Sequence, residues 1–383
     1  MERKNAFTIA ILVILALILC IGCLPSPKYS EHNGIKPEML NSSYTLDDFN
    51  KEYANFQKQN ELVINVQKIQ FSIANDIALR TTELSEHEVI PQQFEVQWIE
   101  NSLEFIDELA GNLYYFDQDK NEIEDVEMVV KHHDRSSALA LYKTPNQSVY
   151  FFFRSGTFEY VNEESGSISY EDKDLENLGT LDTQKITMKD AEHFADVAVK
   201  RLYSNNCNLF AKEFYRGADN KSSESGETGV PFYRFEYAFT LDGVDIITET
   251  ISIFRGQKTQ IKSDVVQIFI NDSGIIRIKA TKHEVNNTFT KKAIRPLSVA
   301  VESLEAFLEN NMLVPAYSIK NITISNFGYI YTPKYNSNPY SSEYLAVPAW
   351  QVNLEVYSGS GETMKTVFIN AFTCEVYICD SNK

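Results

Sequence analysis

Apolar and polar positions divide most of the chain into short alternating runs and a few helical stripes. Leu46 to Asn60 (LDDFNKEYANFQKQN) reads as a helix, opened by Thr45 as cap and by the acids Asp47 and Asp48 at the positive end of its dipole. Glu61 to Phe71, with Val63, Ile64, Val66, Ile69 and Phe71 apolar, predicts a strand. After Pro91, the residues Phe94, Trp98, Phe105, Ile106 and Leu109 recur at helical spacing and Gly111 stops the run. Strand-like runs at 138–142, 148–153 and 157–161 are separated by Thr144-Pro145-Asn146-Gln147 and Arg154-Ser155-Gly156, which predicts a meander.

From about residue 181 the pattern repeats. Thr187 caps a helix with Asp190 three residues on, and Phe194, Val197, Ala198, Leu202 and Tyr203 are expected on its buried face. Strands are expected at 207–215, 231–240 and 265–280. Pro296 and Ser298 then precede a second helix with Val301, Leu304, Phe307 and Leu308 inward, followed by strands at 319–332, 350–357 and 366–378. Local wording matches as well: Val230-Pro231-Phe232-Tyr233 answers Val347-Pro348-Ala349-Trp350, and Ile268-Phe269-Ile270-Asn271 answers Val367-Phe368-Ile369-Asn370. An extra hairpin in the first copy, Asp242 to Phe254, accounts for the unequal spacing. The expected fold class is α+β, with antiparallel sheets each covered by a helix, because one apolar helix stripe and one apolar sheet face remove each other from water.

One segment stands outside this alternation. Arg3 and Lys4 precede an apolar run, Ala6 to Gly22, broken only by Thr8 and followed by Cys23 and a polar stretch with Pro25 and Pro27. A charged head, a short greasy core and a small residue at the exit form an export signal. Residues 1–22 are thus expected as a signal peptide, or as an uncleaved membrane anchor, and 23–45 as a tether. The body divides into an N-terminal α+β domain (46–182), a first helix–sheet unit (183–292) and a second (293–383).

Composition narrows the partners. Hydrophobic residues are 43% and charged residues 23%, as in a packed globular protein. Loss of Glu2, Arg3 and Lys4 with the leader takes the net charge from −18 to −19, which repels nucleic acid. No Cys-x-x-Cys or Cys/His metal spacing occurs. Cys374 and Cys379 read as opposite faces of one strand, so a bond between them needs a bend; Cys207 with either is open, and burial as small hydrophobes is the expected role.

Candidate chemistry is thin. His132-His133-Asp134 is the densest polar cluster, but neighbours in a strand face opposite ways and the cluster reads as a solvated loop. Asp117 to Asn121 begins like a calcium loop, yet Glu122 stands where glycine is needed and Met128 where a bidentate acid is needed. His87, His193 and His283 are scattered singly and are expected at surface or boundary positions. No GxSxG, HExxH or GxxxxGK[ST] occurs, so no catalytic residue, cofactor or metal is assigned.

Gly22-Cys23 resembles the lipobox of bacterial lipoproteins, which implies that Cys23 is lipidated and becomes the mature N-terminus. Ala349-Trp350-Gln351-Val352 followed by Val367-Phe368-Ile369-Asn370-Ala371-Phe372-Thr373-Cys374-Glu375-Val376 resembles the PepSY-type fold, with Cys374 where a turn glycine is usual, which implies a different turn backbone there. With its anchor and acidic body the chain also resembles the YycH/YycI group of extracytoplasmic regulators and a family of Gram-positive lipoproteins of similar size. The resemblance implies duplicated PepSY-like units behind an N-terminal membrane anchor, on the outer face of a Gram-positive membrane. Function is then expected to be non-enzymatic: a sensory or regulatory accessory touching a membrane or secreted protein. A protease-inhibiting or chaperone-like module is one alternative, and a wall hydrolase built on Glu127, Asp134 and Asp264 is another.

Overall fold

A computed structural model describes residues 44–92, 139–143, 147–152, 155–162, 175–177, 185–203, 207–217, 231–248, 251–254, 257–261, 264–310, 318–334, 343–358 and 361–379. They lie within one compact unit, Tyr44–Lys383. Among them are three helices: α1 (Leu46–Phe56), α2 (Met188–Tyr203) and α3 (Leu297–Asn310). The rest of the regular structure is strand, and the class is α+β. No helix among the described residues is long and apolar enough to cross a membrane.

The strands form two large sheets. The first runs β1 (Glu61–Ile64), β2 (Gln67–Ile73), β18 (Ile319–Pro333), β19 (Tyr344–Ser358), β20 (Gly361–Asn370), β21 (Val376–Cys379), β12 (Ile251–Phe254) and β13 (Gln257–Ile261). β4 (His87–Pro91) joins it on β19, and β16 (His283–Thr288) pairs with β4. Among the described residues its one parallel strand pair is β2 with β18, beside an isolated parallel bridge from Ile246 to Tyr329. The sheet curls, since β12 follows β21 in order yet lies against β18.

The second sheet runs β5 (Leu139–Lys143), β6 (Gln147–Phe152), β7 (Thr157–Asn162), β15 (Gly274–Thr281), β14 (Val265–Asn271), β10 (Pro231–Leu241), β9 (Cys207–Gly217) and β8 (Leu175–Asn177). β11 (Val244–Asp245) pairs with β10, and β3 (Glu83–Leu84) forms a small ribbon with β17 (Lys292–Ala293). Residues 46–182 therefore contribute α1, β1, β2 and β4 on the side of the first sheet and β5 to β8 to the second. The helix expected after Pro91 lies outside the described residues.

Each of the later helices leads into four antiparallel strands in sequential order: α2 into β9, β10, β14 and β15, and α3 into β18, β19, β20 and β21. The registers correspond. Tyr233 pairs with Ile270 and Phe235 with Ile268, while Trp350 pairs with Ile369 and Val352 with Val367. One strand further on, Ile270 pairs with Ile275 and Ile369 with Val376. The turns also match in construction, because Asn271 Oδ1 accepts the Ser273 N–H at 2.8 Å and Asn370 Oδ1 accepts the Phe372 N–H at 2.8 Å.

Several elements depart from the sequence reading for local reasons. Glu61 to Phe71 is a hairpin, turned by Asn65 (φ 48°) and Val66 (φ 60°). A β-branched residue in the left-handed region is strained, so the sequence carries no Asn-Gly signal to find. The Asn65 N–H reaches Glu309 Oε1 at 3.3 Å and helps hold the turn. The run 265–280 is likewise two strands, divided at Gly274. Cys374 precedes β21 rather than sharing a strand with Cys379, and its φ of 58° keeps the left-handed conformation that glycine would supply.

The helix α2 is rotated from its expected face. Ala191, Ala195, Ala198, Val199, Leu202 and Tyr203 are buried, whereas Phe194 is 46% exposed and Val197 is also exposed. Tyr233, Phe235, Tyr237 and Phe239 crowd the sheet beneath, and the small Ala191, Ala195 and Ala198 leave room for them under the helix. Thr187 caps it through the Asp190 N–H at 3.2 Å. α3 instead buries Leu297, Val299, Ala300, Val301, Leu304 and Leu308 over a face centred on Trp350. No acid stands in its first turn, and Glu52 of α1 supplies one: its carboxylate accepts the Leu297 N–H at 2.8 Å and the Ser298 hydroxyl at 2.8 Å.

Candidate functional site

The chain between β10 and β14 takes a long route. These strands are neighbours, with Ala238 opposite Val265, yet the connection is residues 242–264 rather than a tight turn. Asp242 (φ 51°) and Gly243 (φ 74°) reverse the chain into β11. Ile246 bridges Tyr329 of β18, and β12 then pairs with β21 through Ile253 and Ile378. A Cβ at Gly328 would stand 2.5 Å from Asp245 O, so this crossing needs glycine. A strap from the first unit thus extends the sheet of the second.

Both feet of the strap are aspartates held by a histidine and a tyrosine. Asp264, 1% exposed, takes three donors: the His283 N–H at 3.0 Å, His283 Nδ1 at 2.7 Å and the Tyr331 hydroxyl at 2.8 Å. As a carboxylate it accepts from each, which puts the proton of a neutral His283 on Nδ1. At the other foot, Asp242 Oδ2 faces the Ser85 N–H at 3.2 Å, His87 Nε2 at 3.3 Å and the Tyr329 hydroxyl at 3.1 Å. Tyr329 is also 2.9 Å from Ser85 O, and His87 Nδ1 is 3.1 Å from the Thr288 hydroxyl.

The fold brings these six side chains together by simple alternation. Tyr329 and Tyr331 are two apart on β18 and share a face. His87 and His283 sit at opposite ends of the β4/β16 ribbon, where His87 is opposite Thr288 and His283 opposite Pro91. Each histidine ring meets its tyrosine edge-on, at 5.5 Å for His87 and Tyr329 and 4.8 Å for His283 and Tyr331. Both tyrosine hydroxyls are pushed well above their ordinary range by burial, with the adjacent carboxylates adding to the effect.

Chemically the Asp264 cluster is closed, whereas Asp242 is exposed. Cys207 lies near the second foot, and burial raises its thiol to about 12, outweighing the opposing effect of Lys282. A thiol so raised is protonated at neutral pH and is a weak nucleophile. Lys282 Nζ stands 5.5 Å from the Tyr203 ring and 5.6 Å from the Phe239 ring. Among the described residues no group of His, Cys, Asp or Glu is arranged to hold a metal ion.

The sequence reading treated His87 and His283 as boundary residues; they are 4% and 7% exposed and pinned to aspartates. His193 is exposed on α2, as expected of a lone histidine. Asp264 is paired with His283, while Glu127 and Asp134 lie outside the described residues, as do Cys23, His132, His133 and the acidic turn from Asp117. What sequence reasoning missed was the pairing itself. Its only trace is that the two aspartates stand at either end of the inserted segment.

No family model matches the chain, and no curated protein matches it in sequence. Solved structures do. An uncharacterised protein from Eubacterium rectale superposes over 86% of this chain and 98% of its own, with TM-score 0.55 and 14% identity, a likeness of fold alone. The C-terminal domain of YpeB from Bacillus megaterium aligns over 73% of this chain and 96% of its own at TM-score 0.31 and 12% identity, too loosely to carry an argument.

Proposed function

We propose that this chain is an exported, lipid-anchored accessory on the outer face of a Gram-positive membrane, acting through protein contacts rather than catalysis. The observation that supports it most is how the ionisable groups of the seam are used. Both aspartates of the seam are occupied by internal donors at the feet of a strap, and the neighbouring thiol is held protonated, so the described polar groups join parts of the fold. Matching strand registers in the two helix–sheet units support a duplicated PepSY-like body behind the anchor.

The test is recovery of a specific membrane or secreted protein with tagged chain from solubilised membranes, compared with a Cys23→Ala variant. The expected result is a partner retained by the native chain and lost when the variant is released from the membrane. Turnover of wall material by the purified protein, with no partner recovered, overturns the proposal.

A further inference from the structure

We infer that β16 is an association edge, and that what pairs with it is the same strand of a second copy of this chain. β16 ends the β19–β4–β16 branch of the first sheet and is paired to β4 along one side. The strand and its surroundings, 264–310, are described without a break. Val285 is 45% exposed and Phe289 36%, and Asn286, Asn287 and Thr288 between them are exposed, so the strand meets solvent where an inner strand would meet a neighbour. An edge of this kind adds another strand through its unused backbone groups.

Which groups are unused follows from alternation along the pair. Gln92 donates to Lys282 O at 2.9 Å, so His283 and Val285 turn their backbone groups away from β4, and the His283 N–H accordingly meets Asp264 Oδ2. At the other end Phe289 donates to Glu86 O at 2.9 Å, which turns Thr288 away. A regular strand presents such residues two apart, whereas the bulge between Val285 and Asn287 sets Val285 and Thr288 three apart. A strand with the same bulge matches that spacing, which is the first argument for a second copy. With a twofold axis between Asn286 and Asn287, Val285 of each copy stands opposite Thr288 of the other. Charge gives the second argument. Glu284 then stands opposite Phe289 of the other copy, with Lys291 two residues further on and within reach of a long side chain. Glu284 and Lys291 have no ion-pair partner among the described residues, and the twofold supplies each with one. So short a contact falls below the ~1,600 Å² of a standard interface, and the dimer is accordingly weak.

Sedimentation of the full chain in detergent micelles, over a range of protein concentrations, tests this with charge reversals at the two ends of the contact. The native chain is expected to dimerise weakly. Glu284→Lys or Lys291→Glu alone is expected to weaken the dimer by at least about 10-fold, because one reversal sets like charges together on both sides of the twofold. The double reversal is expected to restore it. Unchanged thermal melting of the three variants separates loss of contact from loss of fold. A native chain that stays monomeric at every concentration overturns the inference, as does a dimer that the single reversals leave unchanged or that the double reversal fails to restore. No other protein enters the assay, so the recovery experiment above succeeds or fails separately.

Discussion

In the first unit α2 lays alanines on a sheet face of tyrosines and phenylalanines, while in the second α3 lays valines and leucines on a face of aliphatic residues around Trp350. The strand order and register are the same. Bulk has moved from helix to sheet without changing the topology, so what specifies the unit is which positions face inward, and total volume is met from either layer. The second unit also carries α1, whose Phe49 stacks on Trp350 with ring centroids 5.9 Å apart and whose Glu52 caps α3. In the first unit the flank of α2 around Phe194 and Val197 is left exposed.

The largest effect that separates the units is removal of the central aromatic of the second. Trp350 is fully buried between Phe49 and Phe327, so Trp350→Ala is expected to cost about 3–5 kcal/mol in denaturant unfolding. Its Nε1 has no hydrogen-bond partner among the described residues, so Trp350→Phe is expected to cost much less than its loss of volume alone suggests. Equal losses in the two variants break the comparison.

Alkaline pH is expected to act next, on both units and the seam. Burial raises the hydroxyls of Tyr203, Tyr237, Tyr329 and Tyr331 and takes the Cys207 thiol to about 12; in the second unit it raises the Tyr44 hydroxyl and takes Cys374 to about 11. Because each folded value lies above its unfolded one, the unfolded chain releases these protons first. Stability is therefore full below about pH 9 and falls as pH rises through the tyrosine and thiol range. Tyrosinate absorbance should rise together with the loss of tertiary structure; ionisation well before unfolding contradicts the burial described.

Smaller effects sharpen the packing difference. Ala195→Leu in α2 is expected to destabilise by about 1–3 kcal/mol through overpacking on Phe235 and its neighbours, although leucine is the native residue, Leu304, at the similar position of α3. Phe194→Ser should change stability by no more than about 0.5 kcal/mol, because the ring is exposed; a loss of 2 kcal/mol or so would return Phe194 to the core.

Much of the α+β frame was legible because local signals agreed with the global fold. The caps at Thr45 and Thr187, the meander around Ser155-Gly156 and the matched stretches at Tyr233 and Trp350 are all read from neighbours in sequence. Errors arose where tertiary packing overrode local pattern. Val66 turns a hairpin despite its branched side chain, and Phe194 yields its place to Ala195 because the sheet below supplies the aromatic bulk. The aspartate–histidine–tyrosine clusters were illegible for another reason. Each joins residues from distant segments, Asp242 with His87 and Tyr329, and Asp264 with His283 and Tyr331, and no period or spacing encodes that meeting.

The central claim is that the two clusters, by pinning the feet of the strap, make both units one cooperative body. Calorimetry of the native protein and of an Asp242→Ala, Asp264→Ala variant tests it most directly. Removing Asp264 from its buried pair with His283 costs about 3–5 kcal/mol, and the more exposed Asp242 adds less, so the variant is expected to melt well below the native protein and in two transitions where the native protein shows one. A variant that melts in a single transition at the native temperature contradicts the account.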